Sequence, residues 1–139
     1  MGDKGPAIEA ALVNEFVLKA HGDLDAVKSL LDQEPALLNA AWDWGGGDWE
    51  TALGAASHMG RRDIALFLID HGAPLDVFAA AMLGETEVVR SMLELHPGLV
   101  DARGPHGIPL RVHAEQGGDE ARSVLDLIES AKETQETTV

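Results

Sequence analysis

Gly22, Gly60 and Gly84 each open the same phrase: a glycine, a polar stretch containing an acid, a helical stripe of apolar residues, and an apolar pair eight and nine positions on. The copies read Gly22-Asp-Leu-Asp-Ala-Val-Lys-Ser-Leu-Leu31, Gly60-Arg-Arg-Asp-Ile-Ala-Leu-Phe-Leu-Ile69 and Gly84-Glu-Thr-Glu-Val-Val-Arg-Ser-Met-Leu93. A weaker copy starts at Gly117 and carries Asp126 in the apolar pair. Such recurrence marks a repeat protein, in which each unit buries its apolar face against its neighbours. A glycine after an apolar segment supplies the left-handed conformation that ends a helix, and the acids after it suit the positive N-terminus of the next. Each glycine therefore marks a helix-turn-helix.

The flanks repeat as well. Upstream of Gly60 lies Thr51-Ala-Leu-Gly-Ala-Ala-Ser-His-Met59, a short helix of small residues with Thr51 placed to cap it. Val77-Phe-Ala-Ala-Ala-Met-Leu83 precedes Gly84 in the same way, and Phe16 and Phe78 sit at the same offset before their glycines. Downstream, Glu34-Pro-Ala-Leu-Leu-Asn-Ala40 and His96-Pro-Gly-Leu-Val-Asp-Ala102 share an offset, and the proline in each ends the preceding helix.

The chain has 139 residues, 45% of them hydrophobic, enough for one core and one domain. A formal charge of −14 repels phosphate backbones and anionic headgroups, so nucleic acid and membrane surfaces are not expected partners, whereas a basic protein or a cation would be attracted. Without cysteine there is no disulfide and no zinc-thiolate site. The N-terminus has no apolar run of the signal-peptide kind, and no stretch approaches the roughly twenty apolar residues of a membrane span. A cytoplasmic monomer is expected.

With Thr51-Ala-Leu before Ala55-Ala56, Ile108-Pro-Leu before Ala114, His71-Gly-Ala after an outer helix, and the glycine phrase itself, residues 12 to 130 resemble the ankyrin repeat family. The resemblance implies an all-α solenoid of about four stacked helix-turn-helix pairs, with short inner helices lining a concave face and loops projecting as fingers. It implies binding of other proteins and no enzyme activity. The domain would span 1–131, leaving 132–139 as a disordered tail.

Departures from the family are informative. Its period is about 33 residues, and only the interval from Gly84 to Gly117 keeps it. The interval from Gly60 to Gly84 is about nine residues short of that period, so one finger is missing, while that from Gly22 is about five too long. The surplus lies in Ala40-Ala-Trp-Asp-Trp-Gly-Gly-Gly-Asp-Trp-Glu50. The family's histidine after Thr-Pro-Leu is replaced by Gly54 and Arg111.

The enlarged finger holds every tryptophan, Trp42, Trp44 and Trp49, either as a plug over the inner helices or as rigid aromatic area for a ligand. His58 and Met82 occupy equivalent places where an inner helix turns a side chain to the concave face. With one finger deleted, Asp48 and Glu50 on the first and His106 on the last would wall a cleft beside His58. His58, His106, His113, Asp48 and Glu50 together offer metal ligands or an acid–base pair, but they share no helix and no tight ligand spacing. No metal, cofactor or catalytic residue is assigned. His113 is expected in the core, hydrogen-bonded; His21, His71 and His96 are expected to be structural, near helix C-terminal carbonyls.

The binding residues expected are Trp42, Trp44, Asp48, Trp49, Glu50, His58, Met82 and His106. A protein-interaction module is the first functional expectation, with a small-molecule or minor enzymatic site in the cleft as the alternative and a scaffold without a site as the second.

Overall fold

The computed structural model describes residues 4–137, which form eight α-helices, four short 3-10 turns and one two-stranded antiparallel sheet. The helices are α1 (Ala10–Lys19), α2 (Leu24–Gln33), α3 (Ala52–His58), α4 (Arg62–Asp70), α5 (Val77–Leu83), α6 (Thr86–Leu95), α7 (Leu110–Gln116) and α8 (Arg122–Thr137). The expected all-helical class stands, and the small sheet, β1 (Ala41–Asp43) with β2 (Trp49–Thr51), is confined to the enlarged finger.

Local chemistry explains the boundaries. Asp23, Thr51 and Asp76 each accept a hydrogen bond from the backbone N–H three residues on, at 3.0, 3.0 and 2.8 Å, and so cap α2, α3 and α5. Pro35 and Pro97 stop α2 and α6 and open the 3-10 turns Pro35–Asn39 and Pro97–Asp101.

The helices pack in chain order. α1 lies against α2, α3 against α4, α5 against α6 and α7 against α8, while α1, α3, α5 and α7 touch one another in succession. α5 is buried on all sides: Ala79, Met82 and Leu83 join the core shared with α1 to α4, whereas Val77, Ala80 and Ala81 join the core shared with α6 to α8. The adjacent arginines after Gly60 tie neighbouring corners together, Arg61 donating to the Gly22 carbonyl at 2.6 Å and Arg62 to that of Leu83 at 2.8 Å.

The glycines of the phrase serve two different purposes. Gly84 is left-handed, with φ +77, and a Cβ there would stand 2.1 Å from the Glu120 carbonyl oxygen. Gly117 is right-handed, with φ −72, contrary to the expected left-handed stop; it is needed because a Cβ would meet the Met82 carbonyl oxygen at 2.2 Å. Backbone proximity between helices, more than helix termination, sets the glycine there.

Gly72 to Asp76 links α4 to α5 without an intervening element. α8 continues through residue 132 to Thr137, where Lys132 reaches Asp101 at 3.6 Å and Gln135 donates to the Pro97 carbonyl at 3.1 Å. Residues 138 and 139 lie outside the described residues. No helix among the described residues is long and apolar enough to cross a membrane.

Leu68→Ala, at a fully buried position, should cost about 2–5 kcal/mol in chemical denaturation. Gly84→Ala should cost about 2 kcal/mol or more, through left-handed strain and the carbonyl clash. Truncation after residue 131 should cost about 1 kcal/mol or less, because the lost contacts are exposed.

Candidate functional site

The enlarged finger is a hairpin whose tip is closed by Asp43, which accepts hydrogen bonds from the backbone N–H groups of Gly45 and Gly47 at 2.8 and 3.0 Å. Side chains alternate across a strand, so β2 turns Trp49 outward and Glu50 inward. Trp49 is 60% exposed; Glu50 is 1% exposed and is the one carboxylate in the described core.

Glu50 lies at the centre of a ring of donors. Trp44 Nε1 donates to Oε1 at 2.9 Å, and His21 Nε2 stands 3.1 Å from the same oxygen. His58 Nε2 and His106 Nε2 stand 2.9 and 3.3 Å from Oε2. His21 follows the end of α1 and His58 ends α3, so the packing of these two helices brings their imidazole centroids to 5.1 Å. His106 arrives from the turn before α7 with φ +62, its ring 5.3 Å from that of His58. Gly54 makes room for that turn, since a Cβ on it would lie 3.2 Å from Cγ of Pro105. The glycine standing where the resemblance expects histidine thus lets the last finger lean over the first.

The outer nitrogens of His21 and His106 are also engaged. His21 Nδ1 donates to the Val17 and Leu18 carbonyls at 3.0 and 3.1 Å, and His106 Nδ1 donates to Asp48 Oδ2 at 2.6 Å. Asp48 Oδ1 further accepts the His106 backbone N–H at 2.7 Å and thereby holds the left-handed residue in place. With Nδ1–H directed outward, Nε2 of a neutral ring presents a lone pair toward Glu50. Two lone pairs do not approach at such distances unless positive charge lies between them, as a proton on Nε2 or a shared cation.

The charges respond accordingly. Burial alone would push the Glu50 carboxyl up, but hydrogen bonds from His21 and His58 overcome it and hold the pKa at about 2. The hydrogen bond to Glu50 raises His21 above its ordinary value against the opposing effect of burial. Asp48 is lowered, chiefly by the His106 backbone N–H.

The expected binding residues divide. Glu50, His58, His106, Asp48 and Trp44 come together. Trp42 is half-buried against the core and Trp49 stands on the outer face, so plug and exposed aromatic coexist in one finger. Met82 is enclosed in the core at 1% exposure and does not face the cleft, because α5 is packed on all sides. His21 corrects the structural reading: it does bond the helix carbonyls, but only through Nδ1, which leaves Nε2 for the site. The signal was present, since His21 and His58 end neighbouring inner helices. His71 bonds the Phe67 carbonyl at 2.8 Å, and His113 bonds that of Pro109 at 2.9 Å while buried against Phe78, both as expected.

A surface concavity of about 630 Å³ between α2 and α4, around Lys28, Asp32, Phe67 and His71, shares no residue with this group. The site is a cluster of convergent side chains, in which one polar atom each of His21, Glu50, His58 and His106 lies within 4.8 Å of the others. No protein-family model, curated protein or solved structure matches the chain.

Trp42→Ala should cost about 2 kcal/mol and Trp49→Ala about 0.5 kcal/mol or less, with the Trp49 variant losing the more red-shifted emission. His113 supplies a pH test. Its pKa lies below the ordinary 6.5 because of burial, against the Pro109 hydrogen bond, with His58 and Asp76 as the nearby charges. The unfolded chain therefore binds the extra proton, and stability falls as pH drops below about 6.5 toward the folded-state value. His113→Leu should flatten that part of the melting-temperature profile; an unchanged slope would assign it to other groups.

Proposed function

We propose that the protein is a small, cytoplasmic ankyrin-type binding module whose recognition site is the cleft between its first and last fingers, and that the cleft captures a positively charged ligand. The observation that carries this reading is the Glu50 carboxylate, buried in the core yet faced by three imidazole nitrogens within 3.3 Å. A purely structural carboxylate at such a depth costs several kcal/mol of desolvation, and its replacement by an apolar residue is often neutral or stabilising. A carboxylate kept to bind a cation has a reason to be there. The ankyrin assignment is supported by the glycine phrase and by helix pairs that pack in chain order.

A second reading, a basic protein partner, is favoured by one observation: Trp49 stands exposed beside Trp42, Ala10 and Val13 at the rim of an apolar groove. Aromatic anchors of this kind concentrate binding energy.

The test is a thermal-shift panel of alkylammonium, guanidinium and divalent metal chlorides on the purified chain. A ligand at 100 times its Kd should stabilise by about 2.7 kcal/mol. The wild type should respond to at least one cation, and Glu50→Gln, which keeps the shape and removes the charge, should not. Equal responses from both proteins, or none from the wild type, would defeat the cation reading.

A further inference from the structure

We infer that the captured cation is a divalent first-row transition-metal ion, held by Nε2 of His21, His58 and His106 together with a carboxylate oxygen of Glu50. The inference rests on the cleft reading and narrows it to one ligand class. Four ligand atoms, one from each residue, lie within 4.8 Å of one another. Tetrahedral coordination with bonds of about 2.0–2.1 Å places ligand atoms roughly 3.3–3.5 Å apart, so small side-chain rotations close the set around one ion. These atoms stand too close together to admit an organic cation: the three nitrogens already lie 2.9 to 3.3 Å from the carboxylate oxygens. An alkylammonium or guanidinium group would have to push the rings apart.

The donor types select the metal class. Three imidazoles and one carboxylate suit zinc, iron, nickel or copper, whereas calcium and magnesium favour all-oxygen sites and copper(I) favours sulfur. The supporting contacts are those of ligating histidines, whose outer nitrogen donates to a carbonyl or carboxylate and so directs the inner nitrogen to the metal. His21 does this through Val17 and Leu18, and His106 through Asp48. Trp44 holds Glu50 from the other side. The Glu50 and Asp48 carboxylates match the dipositive charge. Side-chain exposures of 22% for His21 and 32% for His106 leave a route from solvent to a site whose carboxylate is fully enclosed.

The experiment is a titration of the chelator-stripped 139-residue chain with zinc and cobalt(II) chlorides, read by calorimetry, native mass and visible absorption. One ion per chain is expected, with cobalt d–d bands that show nitrogen and oxygen coordination. His58→Ala should weaken binding on the order of 100-fold or more, and Asp48→Asn 10- to 100-fold, as outer-shell changes do. His71→Ala, outside the group, should bind as the wild type does. A readout that needs no variant guards against misfolding: in imidazole nitrogen NMR of the wild-type chain, zinc should move His21, His58 and His106 and leave His71, His96 and His113 in place. Absence of saturable one-to-one binding, or shifts confined to the other histidines, would overturn the inference. If metals fail while an organic cation stabilises the wild type but not Glu50→Gln, the metal inference is lost and the cleft reading survives; if every cation fails, both are lost.

Discussion

The close approach of short, small-residue helices is the constraint on which the rest depends. α3 is built largely of alanine and other small residues, α5 carries the alanine run Ala79 to Ala81, and backbone approaches so near that neither Gly84 nor Gly117 has room for a Cβ. Wider spacing would relieve those contacts and would also separate the ends of α1 and α3. His21 and His58 share a site because their helices, not their loops, set the distance between them. Side chains on packed elements are positioned more accurately than those on free loops, which is what a multi-residue site requires.

Glu50 is the energetic counterpart of that packing. Removing one partner from a buried charged group commonly costs about 3–5 kcal/mol, because the remaining charge is left unsatisfied. Here the compensation comes from four donors spread across the finger, two inner helices and the last finger. The group therefore joins segments that share no local hydrogen-bond ladder, and several of its members are oriented from outside: Asp48 orients His106, Trp44 orients Glu50, and the α1 carbonyls orient His21.

The sequence made the periodic features legible. The Thr51 cap, the proline stops and the left-handed glycines at 60 and 84 follow from local chemistry and appear where expected. Glu50, His58, Asp48 and His106 were also within reach, because the deleted finger brings the remaining two together. Met82 and His21 were not read correctly, for opposite reasons. Met82 was placed by analogy with His58, but α5 is enclosed on every side, and that enclosure is a tertiary property. His21 was assigned by its helix-end carbonyl bond, which accounts for one ring nitrogen and says nothing of the other. Past residue 131, α8 makes contacts with the Pro97–Asp101 turn far away in sequence, which no local pattern foretells. The glycine at position 117 shows the same limit: one residue type answers to a dihedral angle in one copy and to a neighbour's carbonyl in another.

The bond between Asp48 and His106 joins residues 58 positions apart and is one of the contacts by which the last finger reaches the first. His21, Glu50 and His58 belong to the first half of the chain, so three members of the group can assemble before the second half is in place. His106 enters only when the α7 and α8 unit has docked. A local opening of that terminal unit, of the kind that native proteins undergo without unfolding globally, would withdraw one imidazole and leave the other three donors standing. Residence time in the cleft would then be governed by the fraying of the last helix pair rather than by the strength of any single bond at the site.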